Sequence, residues 1–238
     1  MTEAAPIVTI DGPSGSGKGT ISRAVAQYVG WHLLDSGALY RLVAHAGLGR
    51  GLDPQDAEGH AHLAADMQVV FGAASDGSEQ VLLEGRDVTR AIRTETAGQG
   101  ASRVAAWPAV RAALLARQRA FARPPGLVAD GRDMGTVVFP GARLKVYLTA
   151  SPDERALRRH KQLKDKGSGV SLCALSREIT ERDARDSERA VAPLIPAPDA
   201  EVIDSTGLSI EAVAGRVLQL GAARRLWPRS LCSRIEAP

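Results

Sequence analysis

A glycine-rich stretch near the start of the chain carries residue types suited to holding phosphate. Four glycines lie between Gly12 and Gly19, and Lys18 precedes the last of them. Glycines allow successive backbone N–H groups to curl around phosphate oxygens, and a lysine ammonium adds positive charge beside the outer phosphates. The stretch predicts a loop that binds a nucleoside triphosphate, with contacts from Gly12, Gly15, Ser16, Gly17, Lys18, Gly19 and Thr20.

This loop departs from the strict phosphate-loop pattern at one position. The pattern places a serine or threonine directly after the lysine, where its hydroxyl contacts Mg²⁺. Here that position is Gly19, and the hydroxyl is displaced to Thr20. We therefore expect Mg²⁺ to be held mainly by phosphates and water, and we assign no direct protein ligand to it. A glycine-rich turn that closes an ordinary strand–helix unit is the alternative interpretation.

Two further groups of polar residues follow apolar runs. Ser36 follows one run, with Arg41 on the next helix, while Asp130, Arg132 and Asp133 follow another. Ligand crevices in parallel sheets lie beyond the carboxyl ends of the strands. We therefore expect Asp130 to approach Mg²⁺, and Arg132 and Asp133 to face a second ligand. The alternatives are a helix cap at Ser36 with a solvated Arg41, and ordinary turn chemistry at Asp130.

A helical pattern between Ser171 and Arg189 changes from apolar to ionic along one face. At three- and four-residue spacing, the positions on that face are Leu172, Leu175, Ile179, Arg182, Asp186 and Arg189. Burying unpaired charge is costly, so the ionic end predicts a polar cleft that holds an anionic ligand. A solvated, salt-bridged helix end is the alternative.

A cationic helix precedes that segment and begins at Ser151. Its basic residues are followed by the glycine-bearing segment Gly167–Gly169, and this order predicts a mobile cover over a phosphate. Most of the basic side chains are expected to form a solvated face. Arg155 and Arg159 are the expected exceptions, because they are one turn apart and nearest the sheet. The remaining basic residues are Arg158, Lys161, Lys164 and Lys166.

The elements that position these residues follow an α/β pattern. Five short apolar runs predict a five-stranded parallel sheet flanked by helices. They are Ile7–Ile10, His32–Leu34, Leu127–Ala129, Leu144–Leu148 and Glu201–Ile203.

Other signals mark helix starts and one interruption of the sheet pattern. Capping patterns predict helix starts at Ser151 and Asp53, and a helix from Lys18 to Tyr28. Strand-like runs at Met67–Phe71 and Gln80–Glu84, around a turn at residues 75–78, predict a small antiparallel insertion. The segment 223–238 lacks periodicity and is expected to be a loosely ordered tail.

The composition excludes several classes of protein. In 238 residues, 30 Lys and Arg oppose 27 Asp and Glu, and a net charge of +3 is too small to indicate nucleic acid or membrane as a partner. No apolar run approaches the ~20 residues of a membrane span, and we expect a cytoplasmic protein. Cys173 and Cys232 lack the spacing of a disulfide framework or a zinc site.

Five motifs together resemble the bacterial cytidylate kinases, and the likeness runs from about residue 6 to residue 220. The motifs are Asp11–Thr20, Leu34–Arg41, Asp130–Pro140, Glu181–Asp186 and Arg189–Leu194. The resemblance implies a single phosphate-loop kinase domain over 1–222. This domain has a nucleotide-accepting region with a β insertion at about 36–105 and a short helical lid at about 152–170. It also implies ATP-dependent phosphorylation of CMP and dCMP with Mg²⁺, by a monomer.

The resemblance implies roles for individual residues as well. Lys18, Arg132, Arg155, Arg159 and Arg189 match catalytic positions, with Arg155 and Arg159 closing over the ATP phosphates. The other matches concern CMP: Ser36, Ser102, Arg111 and Asp133 at the base, Arg41, Arg132 and Arg189 at the phosphate, and Arg182 and Asp186 near the ribose.

Other functions that use the same loop stay open on the sequence. Uridylate or shikimate kinase is the nearest competitor. A nucleotide switch is disfavoured because the chain lacks an Asn-Lys-x-Asp guanine-reading element. A nucleic-acid-dependent ATPase would carry more basic charge and more aromatic residues than the 4% present.

Overall fold

The fold follows from alternating apolar strands and amphipathic helices. The computed structural model describes residues 5–74, 79–164, 170–228 and 231. In chain order its elements are β1 (Ile7–Asp11), α1 (Lys18–Val29), β2 (His32–Asp35), α2 (Ser36–Gly49), α3 (Ala57–Asp66), β3 (Val69–Ala73), β4 (Glu79–Leu83), β5 (Arg86–Asp87), a 3₁₀ turn (Ala91–Arg93), α4 (Glu95–Val104), α5 (Pro108–Arg119), β6 (Leu127–Gly131), a π-helical turn (Met134–Val138), β7 (Leu144–Thr149), α6 (Pro152–Lys164), α7 (Leu172–Ser187), β8 (Glu201–Asp204) and α8 (Ile210–Ala223).

These elements belong to two compact units. Residues 36–118 form one, called the second unit, and the remaining described residues form the core unit. Among the described helices, none has the length and apolar character needed to span a bilayer.

The predicted five-stranded parallel sheet is confirmed and forms the centre of the core unit. Its strand order is β2-β6-β1-β7-β8, with β1 paired to β6 on one side and to β7 on the other. Each strand extends one or two residues beyond its apolar run, because polar residues such as Asp11 and Asp204 still pair in the ladder. The sheet thus brings polar residues to the carboxyl ends of its strands, where ligands bind in such folds.

One face of the sheet packs against α1, α8 and the residues that follow α8. Val8 and Ile10 of β1 are completely buried there. Trp227 packs edge to face on Trp31, with ring centroids 5.0 Å apart, and its indole N–H donates to the Leu218 carbonyl at 3.0 Å. The prediction of a loosely ordered tail is therefore corrected at Trp227, because burying its large apolar ring is more favourable than exposing it to solvent. Residues 229, 230 and 232–238 lie outside the described set.

The second unit combines α2 to α5 with a small antiparallel sheet. Helices α4 and α2 approach closely, since a Cβ added at Gly100 would lie 3.0 Å from the Ala44 side chain. The predicted insertion is confirmed as β3 paired with β4, and the two-residue strand β5 adds a third strand that the sequence pattern missed. The predicted turn at 75–78 lies outside the described residues.

Two details of the helices differ from the sequence pattern. Helix α3 begins after Asp56, whose carboxylate accepts the Gly59 N–H at 2.9 Å, whereas Asp53 caps only the preceding turn through the Gln55 N–H. Helix α7 begins after Ser171 as predicted, but Leu172 is exposed, so the buried stripe starts at Leu175. The first turn of a helix often lies beyond the surface that the helix covers.

Asp11 connects the end of β1 to the π-helical turn. Its carboxylate accepts the backbone N–H groups of Met134 at 2.9 Å and Gly135 at 2.8 Å. Gly135 must be a glycine, because a Cβ there would lie 2.8 Å from the Thr9 hydroxyl. Burial raises the pKa of Asp11 to about 7, even though its two amide hydrogen bonds act to lower it.

The raised pKa predicts a pH-dependent contribution of Asp11 to stability. The folded protein keeps the Asp11 proton up to about pH 7, while the unfolded chain releases it near 3.8. The stabilisation by this group is complete below the unfolded pKa and decreases by at most about 1.4 kcal/mol per pH unit as the pH rises through this window. Asp11→Asn should lack this decrease, although it loses one amide acceptor at every pH.

Urea unfolding of wild type and Asp11→Asn between pH 4 and 7.5 measures the effect, with Asp66→Asn, at an exposed site, as the control. The free-energy difference between wild type and Asp11→Asn should shrink steadily with rising pH. Parallel stability curves for the two proteins would contradict the assignment.

Candidate active site

The loop between β1 and α1 has the backbone shape of a phosphate cradle. Gly12, Gly15 and Gly17 have φ angles of +154°, +79° and +89°, all of which disfavour a side chain. A Cβ at Gly12 would also lie 2.0 Å from the Leu148 carbonyl oxygen, so the loop can start only with glycine. Positive φ angles at these glycines turn neighbouring backbone N–H groups toward one concave side, where the oxygens of a phosphate chain can accept from them.

Lys18 opens α1 and bends back over the loop. Its ammonium donates to the Pro13 carbonyl at 3.2 Å. Burial, and next the positive charge of Arg132, lower the pKa of Lys18, while Asp130 acts in the opposite direction. The ammonium therefore lies where positive charge is concentrated, and an arriving phosphate would favour its charged form.

The carbonyls of the loop are held from outside by arginines of α6. Arg155 is buried and donates to the Ser14 carbonyl at 3.1 Å, and it forms an ion pair of 2.6 Å with Asp183. Arg158 donates to the Ser16 carbonyl at 3.3 Å and to the Ser205 carbonyl at 2.6 Å. In this structure the Arg155 guanidinium thus contacts a backbone carbonyl of the loop, and it is already bound to protein oxygens.

Asp130 lies beside the point where the loop becomes helix. A Cβ added at Gly19 would be 3.2 Å from the Asp130 carboxylate, closer than most side chains tolerate. This approach gives a physical reason for glycine at the position where the strict pattern has a hydroxyl.

A magnesium ion fits the oxygen donors at this place. Carboxylate and hydroxyl oxygens are hard ligands of the kind Mg²⁺ prefers, and Asp130 offers one beside the phosphate loop, with Thr20 exposed next to Gly19. Over the ranges 5–74, 79–164 and 170–228, no group of three His, Cys, Asp or Glu side chains could hold a metal without other ligands. A metal that arrives with nucleotide phosphates and keeps several waters is compatible with so few protein donors.

A second cationic cluster lies at the ionic end of α7. Arg132 donates to the Asp186 carboxylate at 2.9 Å, and Arg189 donates to the Asp186 backbone carbonyl at 3.2 Å. Burial acts to raise the pKa of Asp186, but Arg132 first, and then Arg182, outweigh it and hold the pKa below its usual value. Asp186 therefore stays ionised and organises guanidinium groups around itself.

These contacts bring together the ionic residues that the sequence pattern placed on one face of α7, while the anionic ligand expected there stays a prediction. Lys18 is under the electrostatic influence of Arg132, Arg182 and Asp186, so residues far apart in the chain lie near one another in the core unit. Asp133, which follows Arg132 in the chain, is buried. Its backbone carbonyl accepts the N–H groups of Val137 and Val138. The turn thereby fixes the backbone at Asp133.

Four predicted residues belong to the second unit. Ser36 is buried at the start of α2, and Arg41 is half-buried one turn later. The hydroxyl of Ser102 is buried within α4. Arg111 is buried in α5, where it donates to the Ala105 carbonyl at 3.1 Å and lies over the Tyr40 ring at 5.7 Å.

Arg159 differs from its neighbours on α6. It is half-buried, and its guanidinium donates to the Gln162 side-chain oxygen at 3.4 Å. The glycine-bearing segment expected to complete the lid, at 167–169, lies outside the described residues.

The sequence pattern missed four residues that contact the phosphate loop, the π-helical turn or Arg155: Asp11, Arg158, Asp183 and Ser205. Arg158 was assigned to a solvated face because a run of charged residues on a helix usually faces solvent. Ser205 had a usable signal, since it directly follows β8 at the carboxyl edge of the sheet. Asp183 had none, because its partner is 28 residues earlier in the chain at Arg155 and the helix register alone does not pair them.

The sequence matches the family model described as cytidylate kinase over residues 8–222. The cytidylate kinase of Stutzerimonas stutzeri (strain A1501) is 59% identical over 227 residues, which cover 95% of this chain and 99% of that protein. The cytidylate kinase of Pseudomonas putida (strain W619) is also 59% identical, over 95% of this chain and 100% of its own length. That of Pseudomonas aeruginosa (strain LESB58) is 59% identical over 92% of this chain and 96% of its own length. This chain is a member of the cytidylate kinase family.

Proposed function

We propose that the protein transfers the γ-phosphoryl group of ATP to CMP and dCMP, giving CDP or dCDP and ADP. The observation that carries this proposal is the proximity of two cationic features in the core unit. Lys18 at the phosphate loop lies within the electrostatic influence of Arg132, which is paired with Asp186. A single-nucleotide switch needs only the first feature, whereas a kinase with a phosphorylated acceptor needs both. Membership of the cytidylate kinase family supports the choice of acceptor.

The acceptor phosphate needs little chemical activation. A phosphate monoester has its second pKa near ~6, so its attacking oxygen is already ionised at neutral pH and no strong general base is required. The difficulty is bringing two anions into line. Lys18, Arg132 and Arg189 would offset their repulsion and stabilise the charge that develops on the transferred group.

Mg²⁺ is the metal we propose, bound together with ATP. It supplies charge neutralisation and orientation of the phosphates. Asp130 is the protein residue best placed to hold it, directly or through water, with Thr20 as a weaker partner.

Asp133 is the residue we propose for distinguishing cytosine from uracil. Cytosine presents an amino donor where uracil presents a carbonyl acceptor, so a carboxylate attracts the first and repels the second. We carry over from the family the contacts of Ser36, Ser102 and Arg111 with the base and of Arg41 with the acceptor phosphate. Arg182 and Asp186 are proposed near the ribose.

Further proposals concern the molecule as a whole. Arg159, on the first helix of the proposed lid, would contact ATP phosphates, while Arg155 reaches the loop through the Ser14 carbonyl. We propose a kinase domain over 1–222 that acts as a cytoplasmic monomer on free nucleotides. The net charge of +3 gives no reason to expect a nucleic-acid partner.

A panel of acceptors tests the proposed function. ADP formation should require CMP or dCMP as acceptor, and UMP, AMP and shikimate should support much lower rates with ATP as donor. Coupled measurement of ADP release, with product identification by chromatography, decides among these acceptors. If ADP does not form in response to CMP, the proposal is wrong.

Lys18→Ala should lower kcat by roughly 100-fold or more, because it removes a major charge contact to the transferred phosphoryl group. Lys161→Ala removes an exposed cation from α6 and should leave kcat within about twofold, as is usual for a surface substitution. The two variants are compared at saturating ATP and CMP after their folding is checked by circular dichroism. Near-normal turnover of Lys18→Ala would remove the phosphate loop from the mechanism.

Asp133→Ala should reduce the preference for CMP over UMP by about 1–3 kcal/mol, the usual value of a base-edge contact. The quantity to measure is the ratio of kcat/KM for the two acceptors, since it cancels losses common to both. Asp66→Ala, which removes an exposed carboxylate, is the control. An unchanged ratio in Asp133→Ala would show that this carboxylate does not distinguish the bases.

A further inference from the structure

The phosphate loop has two faces, and the outer one is organised by α6 and the residues after β8. Two carbonyls of the loop accept from arginines of α6, and a third accepts from Lys18 at the start of α1. The Pro13 carbonyl accepts from Lys18, the Ser14 carbonyl from Arg155, and the Ser16 carbonyl from Arg158. Each bond involves a cationic donor, which makes it stronger than a bond between neutral groups.

The orientation of a carbonyl determines the orientation of the next N–H group. A trans peptide is planar, and its C=O and N–H point in opposite directions. Holding the Ser16 carbonyl outward, toward Arg158, therefore directs the Gly17 N–H to the opposite side. Gly17 has φ +89°, and its own carbonyl is held by the N–H groups of Thr20 and Ile21 in α1, whereas the carbonyl of the preceding peptide, that of Ser16, accepts from Arg158.

Arg158 is itself held rigidly enough to act as such a restraint. Its Nε donates to Glu154 at 2.8 Å, and one terminal nitrogen donates to the Ser205 hydroxyl at 3.0 Å as well as to Ser16. The other terminal nitrogen donates to the Ser205 carbonyl at 2.6 Å. The planar guanidinium therefore fixes three pieces of backbone relative to one another: the phosphate loop, α6 and the segment after β8.

Ser205 provides a second, uncharged hold on the same carbonyl. It is almost completely buried, and its hydroxyl lies 3.2 Å from the Ser16 carbonyl oxygen and 2.9 Å from that of Thr149. The single hydroxyl proton can serve one of these acceptors at a time. Arg158 and Ser205 thus act on one peptide group by different chemistry.

We propose that Arg158 is a positioning residue for ATP binding, acting with Ser205. The pair turns the Ser16–Gly17 peptide so that the Gly17 N–H faces the triphosphate, and the guanidinium does so without touching a phosphate. Arg155 acts in the same way on the Ser14–Gly15 peptide. This inference rests on the proposed function only in taking the loop to bind ATP, and it does not depend on which acceptor is phosphorylated.

Substitution of both partners distinguishes positioning from direct phosphate contact. Arg158→Lys keeps the charge but replaces the planar fork with a single ammonium, which cannot hold Ser16 and Ser205 together. We expect it to raise the Kd of ATP about fivefold to tenfold, and Ser205→Ala to raise it about threefold. Because the two residues share one acceptor, the double variant should lose less than the product of the single effects.

Calorimetry measures these ATP affinities, with Lys161→Ala as the control that removes a positive charge from the exposed side of α6. Two-dimensional ¹H–¹⁵N spectra provide the readout that a loss of stability alone would not give. The Gly17 amide resonance of the ATP-free protein should shift in both Arg158→Lys and Ser205→Ala. The KM for ATP should rise while the KM for CMP stays within about twofold.

ATP affinity of Arg158→Lys equal to that of wild type would overturn the proposal, as would multiplicative effects in the double variant or an unmoved Gly17 resonance. If Arg158→Lys does not fold, the Gly17 shift and the ATP affinity of Ser205→Ala decide the question alone. Wild-type protein that binds ATP but does not phosphorylate CMP would defeat the proposed function and leave this test intact.

Discussion

Concentrating positive charge in one place is the physical constraint on which much of the core unit depends. Lys18, Arg132 and Arg182 repel one another before any nucleotide arrives, and this repulsion adds to burial in lowering the pKa of Lys18. Asp186 offsets it by remaining ionised between the arginines. The carboxylate therefore belongs to the site as a counter-charge, and it allows the protein to assemble a strongly cationic cluster without a bound anion.

The second requirement is the precise placement of backbone N–H and C=O groups in segments that contain glycine. The phosphate loop contains several glycines and the π-helical turn contains Gly135, and each segment is held by an ionisable residue from a different element. Asp11 fixes the turn through two amides, and Arg158 fixes the loop through a carbonyl. Arg158 uses a charge-assisted hydrogen bond, and both bonds of Asp11 are buried. Each interaction resists displacement because an unsatisfied partner would be left behind.

Much of the architecture could be predicted because it depends on local patterns. The five parallel strands follow from apolar runs of the right length, and the Ser151 and Ser171 caps follow from residue type. Contacts between distant residues could not be predicted in this way. The packing of Trp227 on Trp31 joins two ends of the chain, and the pairing of Arg155 with Asp183 depends on how two helices are rotated. The sequence pattern assigned Arg158 of α6 to a solvated face, because nothing in its own helix shows that the Ser16 and Ser205 carbonyls lie beside it.

The close approach of Gly19 to Asp130 has a consequence for substitutions in the loop. Gly19 lies in the first turn of α1 and Asp130 lies in β6, yet a methyl group on residue 19 would press on the Asp130 carboxylate. A serine or threonine at position 19 would therefore require the Asp130 carboxylate to move by a few tenths of an ångström. What looks like an incomplete motif is a glycine whose missing side chain leaves room for that carboxylate.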